Sequence, residues 1–194
     1  MGDIQNCIHD VQLWAIDDAL TIALIAVKAA DMKKLLIVYY SLTGGTRQMV
    51  EAAEAEARKE EETRTIVMRA EECEPSDMLS ADGYIFATPE NLAAIAGVMK
   101  AFFDRCYYPL LGEIEGRPYA AMICAGSDGE NARKQLERIA TGWRLKKVMD
   151  TPIICTHAQT EEQILAPKEI SETDKAQCAE IGATLAAGLA MGVF

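Results

Sequence analysis

The chain has 194 residues, the length of one domain, with half of them apolar and a quarter charged. That balance excludes a disordered chain, and 13 Gly and 6 Pro in no repeating pattern exclude collagen-like and low-complexity classes. The net charge of −11, from 19 Lys and Arg against 30 Asp and Glu, argues against nucleic acid and acidic membrane surfaces as partners.

Residues 1–31 read differently from the rest. Ala19 to Ala30 is apolar but too short to span a bilayer, and Asp3, Asp10, Asp17 and Asp18 make the start too acidic for a signal peptide. Ile4, Ile8, Val11, Ala15 and Ala19 share one helical face. Met32 then opens Met-Lys-Lys-Leu-Leu-Ile-Val, which has the form of a protein start. Residues 1–31 are therefore expected to be either an added helix or an upstream extension from a misplaced start codon. Residues 32–194 are expected to form the folded domain.

From residue 35 short apolar runs alternate with amphipathic segments. Leu35 to Tyr40 is continuously apolar, as a strand buried on both faces requires. Thr46 to Glu60 places Met49, Val50, Ala53 and Ala57 on one side, as in a surface helix. Thr65 to Met68 is a second strand, and the stretch around Pro75 allows one or two helical turns. Asp82-Gly83 signals a turn into a third strand, Tyr84 to Ala87. Ile95, Val98, Met99, Phe102, Phe103 and Cys106 form a helical stripe. Tyr119 to Ala125 is a fourth strand, and Glu130 to Ala140 a helix closed by Gly142. Ile153 to Cys155 is a fifth strand. Ser171-x-x-Asp174 caps a last helix carrying Cys178, Ile181, Leu185 and Leu189. Five apolar strands separated by helices predict an α/β, doubly wound, five-stranded parallel sheet with helices on both faces. Ligands in such sheets bind beyond the carboxyl ends of the strands.

Three loops lie there. The first, Ser41-Leu42-Thr43-Gly44-Gly45-Thr46, runs from a buried strand straight into a helix. Its glycines let backbone approach a ligand, its hydroxyls add donors, and the helix start supplies unpaired N–H groups, which together suit a phosphate. The loop has no Lys, and the chain has no G-x-x-x-x-G-K-[ST] and no G-x-G-x-x-G, so neither the Walker loop nor the dinucleotide fingerprint is present. The second loop is Thr88-Pro89-Glu90-Asn91, where Pro89 stiffens the turn and Glu90 and Asn91 offer hydrogen-bonding groups. The third is Gly126-Ser127-Asp128-Gly129, followed by Glu130 and Asn131 at a helix start.

The first loop resembles the FMN phosphate loop of the flavodoxin family. The second, followed by Gly97 to Arg105, resembles the corresponding stretch of NADPH-dependent FMN reductases and flavodoxin-like quinone reductases. The likeness runs from about residue 33 to 190. It implies the flavodoxin strand order 2-1-3-4-5 and FMN as cofactor, with Ser41 to Thr46 holding the phosphate and Thr88 to Asn91 running along the ring. It also implies NAD(P)H and a small electron acceptor as partners, and a homo-oligomer in which one subunit helps to cover the flavin of another. One departure matters. Many flavodoxins sandwich the ring between aromatic side chains, whereas neither Thr88–Asn91 nor Gly126–Asn131 holds an aromatic. That favours a reductase with an open ring over an electron carrier. A flavodoxin-type carrier, or a domain that has lost FMN, are the alternatives.

Other uses of such a sheet lack their residues. The third strand ends in Ala87-Thr88 rather than a phosphorylatable Asp, the first loop has no Cys for a phosphatase, and Gly126-Ser127 lacks the second glycine of a hydrolase elbow. Six cysteines at 7, 73, 106, 124, 155 and 178 form no Cys-x-x-Cys pair, and His9 and His157 are the only histidines, so no metal site is expected. Cys124 and Cys155 read as core residues, and the cysteine pattern suits a reducing, cytoplasmic compartment. No protein acid or base is compulsory when a flavin carries the chemistry, so no catalytic residue is assigned.

Overall fold

The computed structural model describes residues 32–194; the helical expectation for residues 1–31 lies outside the described residues. The elements in chain order are β1 (Lys33–Tyr39), α1 (Gly45–Ala57), β2 (Thr63–Arg69), α2 (Pro75–Ser80), β3 (Gly83–Asn91), β4 (Ala94–Ile95), α3 (Gly97–Tyr107), β5 (Pro118–Ala125), α4 (Glu130–Gly142), β6 (Lys146–Lys147), β7 (Ile153–Cys155), α5 (Glu161–Leu165) and α6 (Glu172–Met191). The sheet runs β2-β1-β3-β5-β6, with β7 also pairing β5. Both β6 and β7 lie parallel to β5, so the fifth position of the sheet is one interrupted strand. The order implied by the resemblance is the order observed.

The apolar runs explain the two-sided burial. In β1, Leu36 and Val38 face one layer and Leu35 and Ile37 the other, and all four are buried. The first layer, which includes α3 and α4, is aromatic. Phe86 lies 5.5 Å from Phe103 and 6.4 Å from Trp143, ring centroid to centroid. Trp143 stacks on Tyr107 and donates its Nε1–H to the Tyr107 carbonyl at 3.0 Å. The second layer, with α1 and α6, is built from Ala, Met, Leu and Ile. Small residues there let α1 and α6 touch through their backbones. A Cβ on Gly182 would lie 1.9 Å from the Ala53 carbonyl oxygen.

Two expectations need correction. Thr88–Asn91 is not a loop: β3 continues through these residues, turns at Leu92-Ala93 and returns as β4. Strand pairing carries on because β5 matches β3 as far as Pro89 opposite Cys124. Gly142 is the last residue of α4, as expected from the sequence, and a Cβ there would also meet the Tyr107 hydroxyl at 2.2 Å. Ser171 does cap α6, accepting the Asp174 N–H at 3.1 Å, but Asp174 answers through the Ser171 hydroxyl.

Candidate functional site

β1, β3 and β5 are neighbours in the sheet, so the three segments at their carboxyl ends converge. Between them is a cleft of about 520 Å³, within the range of small-molecule sites. Leu42 and Thr43 line it from the first loop, Pro89, Glu90 and Asn91 from β3, and Gly126 and Ser127 from the third loop. A hollow of about 430 Å³ adjoins it, sharing Leu42, Thr43 and Leu165 and adding Gly44 and Arg47. A larger groove, about 610 Å³, lies between α3 and α4 around Phe103 and Tyr107. It is away from the strand ends, and the first and third loops do not reach it.

The first loop is shaped by its own backbone contacts. Gly44 caps α1 at φ +88, the left-handed region that glycine enters freely. Ser41 Oγ accepts the Arg47 N–H at 3.2 Å, and the Gly44 carbonyl accepts from Gln48 at 3.1 Å. Among the described residues, nothing accepts the N–H groups of Thr43, Gly44, Gly45 and Thr46. The hydroxyl of Thr46 is buried with no partner beyond a weak contact with the Cys124 thiol. Gly45 serves packing: a Cβ there would lie 2.7 Å from Cys124 Sγ and 3.3 Å from Lys168 Cβ.

The second and third segments are one clamped unit. Leu92 and Ala93 both have positive φ, 51° and 58°, which costs non-glycine residues about 1 kcal/mol each. Three contacts hold that turn. Asn131 donates to the Ala93 carbonyl, Gln135 Oε1 accepts the Ile95 N–H at 3.1 Å, and Glu90 Oε2 accepts the Gly129 N–H at 2.9 Å. Thr88 is fully buried, and its hydroxyl accepts the Ala96 N–H at 3.3 Å. Thr88 and Gly129 therefore shape the site, and Asp128 is exposed at the third loop.

Residues 75–159 match the family model described as NADPH-dependent FMN reductase, a stretch that contains the β3 hairpin and the third loop. A flavodoxin of Aquifex aeolicus (strain VF5) is 35% identical over 98 residues, 50% of this chain and 53% of its own length. An NAD(P)H dehydrogenase (quinone) of Acidithiobacillus ferrooxidans (strain ATCC 53993 / BNL-5-31) is 31% identical over 94 residues, 38% of this chain and 47% of its own. The chain spans about half the length of these curated relatives. A WrbA-like flavodoxin from Agrobacterium tumefaciens superposes with a TM-score of 0.65 at 19% identity, over 82% of this chain and 98% of that one, which speaks to the fold. The fold is flavodoxin-like, and residues 75–159 resemble NADPH-dependent FMN reductases.

This flavodoxin-like cleft has a fourth wall that sequence reasoning missed. Thr156, Ala158, Ile164, Leu165 and Lys168 line it from the segment after β7. Lys168 ties that wall down. Its ammonium donates to the carbonyls of Gln163, Ile164 and Ala166, and its N–H donates to Thr43 O at 2.8 Å. The signal was available, since this segment also follows a strand end. Leu42, Leu92, Ile164 and Leu165 are exposed around the cleft, so its rim is aliphatic. No aromatic side chain lines it among the described residues.

Cys124 lines the cleft and Cys155 lies close by in β7, and both thiols are held toward the protonated form. Burial pushes Cys124 up to about 11, and Cys155 is raised by burial and then by the carboxylates of Glu90 and Asp128. Cys124 is a core residue, as expected, but Cys155 is only half-buried. Because the thiolate is the reactive form, the native protein at pH 7 is expected to resist iodoacetamide at Cys73, Cys106, Cys124 and Cys178. Among the described cysteines, Cys155 should label first, as peptide mapping by mass spectrometry would show. No cluster of described residues could hold a metal ion, and no described helix is long and apolar enough to cross a membrane.

Proposed function

We propose that the domain formed by residues 32–194 binds FMN in this cleft and passes electrons from NAD(P)H to a quinone or similar small acceptor. The observation that carries the reading is the helix start at Gly44–Thr46, with unpaired N–H groups and a buried Thr46 hydroxyl whose sole contact is weak, with the Cys124 thiol, opening beside an aromatic-free cleft. These residues fit FMN. The first loop offers N–H and O–H donors for one phosphate. The ring would lie among Leu42, Pro89, Glu90, Asn91, Gly126 and Ser127. Bound there, FMN would supply the redox chemistry, taking up two electrons from a reduced nicotinamide and giving them to the acceptor. The protein's part is to bind, to orient and to limit water. The Glu90–Gly129 and Asn131–Ala93 contacts hold the ring-facing wall rigid, and the aliphatic rim keeps the mouth dry. Without an aromatic lid, a nicotinamide can reach the ring at the ~3–3.5 Å needed for transfer. The free thiols of the five described cysteines favour a cytoplasmic setting.

Similarity to the Aquifex flavodoxin supports a second reading, an electron carrier without nicotinamide activity. An anaerobic experiment separates the two. The FMN-loaded protein is mixed with NADH or NADPH, the flavin absorbance band is followed, and benzoquinone is then added. Rapid bleaching and recovery are expected. Failure of both nicotinamides, with FMN still bound, would leave the carrier reading standing.

A further inference from the structure

We propose that residues 160–168 form a clasp that retains FMN, with Leu165 covering the stretch between ring and phosphate and Gln48 as the positioning residue that holds the clasp to α1. The proposal rests on the flavin reading above. α5 belongs to the wall of the site, yet none of its 5 residues is buried. So short a helix does not hold itself in water, so its place depends on ties made at its flanks. Among the described residues, the hydrogen bonds of residues 157–167 stay within the segment or reach Lys168. The anchors lie at the two ends. Upstream, the Thr156 N–H donates to the Ala125 carbonyl at 2.9 Å. Downstream, the Lys168 N–H donates to the Thr43 carbonyl at 2.8 Å, and Ile170 is buried in the second layer.

Gln48 completes the downstream anchor. Its Nε2 donates to the Lys168 carbonyl at 2.6 Å and its Oε1 accepts the Ile170 N–H at 3.2 Å, so one side-chain amide pairs with two backbone groups as a neighbouring strand would. The Lys168 ammonium turns back onto the carbonyls of Gln163, Ile164 and Ala166 and fixes the end of α5 to that anchor. What the clasp presents is apolar: Ile164 is 50% exposed and Leu165 62%. Leu165 lines both the cleft and the adjoining hollow, as do Leu42 and Thr43 of the first loop, so it stands where the two cavities meet. With the ring in the cleft and the phosphate at Gly44–Thr46, the chain joining them crosses this junction. Leu165 then loses water against the ligand, and the clasp must swing out before FMN can leave. FMN is thereby kept as a resident cofactor through turnover instead of exchanging as a substrate. Because the cover acts on the tail of the ligand, it leaves the ring open to a nicotinamide.

The test compares the full-length wild type with Gln48→Met and Leu165→Ala. Association and dissociation rates of FMN are read by flavin fluorescence, and backbone hydrogen exchange by mass spectrometry. Methionine keeps the length of Gln48 without either hydrogen bond, whereas L165A leaves both ties in place and removes the cover. Both variants are expected to release FMN about 10-fold faster, the scale of burying one leucine side chain, while association changes by about 2-fold or less. In wild type, FMN should slow exchange across residues 160–168, and Q48M should lose most of that protection. A wild-type dissociation rate in either variant, or exchange in residues 160–168 that does not respond to FMN, would overturn the clasp while leaving FMN binding intact. A purely structural role for Gln48 would lower the melting temperature of Q48M and leave its FMN dissociation rate unchanged. If Q48M does not fold, L165A decides on the same two rates. A wild type that binds no FMN overturns the clasp together with the flavin reading.

Discussion

Replacing Gly182 with alanine is expected to destabilise the protein by about 2–3 kcal/mol, the scale of overpacking a close-packed site. The added methyl would sit 1.9 Å from the Ala53 carbonyl oxygen and 2.6 Å from its carbonyl carbon. Those are backbone atoms of α1, so no rotamer change relieves the overlap and the two helices must separate. Alanine returns only about 1 kcal/mol through helix propensity, which does not offset the loss. For a domain of this size the melting temperature should fall by roughly 4–12 °C, read by circular dichroism. Gly97→Ala is the control. It stands at the start of α3 with nothing within 4 Å of its Cβ position, so it should be neutral or slightly stabilising. Equal melting of the two variants would show that α1 and α6 do not meet through backbone at Gly182.

Thr46→Val is expected to move stability and binding in opposite directions. Thr46 is 1% exposed and its hydroxyl has no partner beyond a weak contact with the Cys124 thiol, so the folded protein carries most of the cost of an unsatisfied buried group. Valine has nearly the same shape without that group, and the flavin-free variant should gain about 1 kcal/mol in denaturant unfolding. The phosphate, in contrast, loses a hydroxyl donor beside the α1 N-terminus. FMN affinity should fall about 10-fold or more, since the lost hydrogen bond is to a charged group. At FMN concentrations ~100 times the wild-type dissociation constant, wild type should gain about 2.7 kcal/mol from ligand linkage and the variant markedly less. A variant that keeps full FMN protection would place the phosphate elsewhere. Gly45 is a poorer probe for the same question, because a side chain there strikes Cys124 and Lys168 and disturbs packing whether or not a ligand binds.

The sequence by itself determined the layer architecture, the strand order through the resemblance, and the first loop. Continuous apolar runs such as Leu35–Tyr40 require burial on both faces, and hydroxyls and glycines between strand and helix have few other uses. Tertiary structure alone decided the rest. Asn91-Leu92-Ala93-Ala94 has no glycine, so nothing local announces a turn with two positive φ values. Contacts from Asn131 and Gln135, about 40 residues away, impose it. Gly45, Gly142 and Gly182 look like flexible or terminating residues in one dimension, yet each is also required by a side chain or backbone distant in the chain. The wall around Lys168 is amphiphilic coil by composition and becomes part of the site only because its ammonium and backbone are tied to α5 and the first loop. Glu90 reads as a polar loop residue, and only the fold shows one oxygen bound and the other buried and empty. Periodicity and loop chemistry are local and so are written in the sequence, whereas close approach and unsatisfied buried atoms are properties of pairs that only folding brings together.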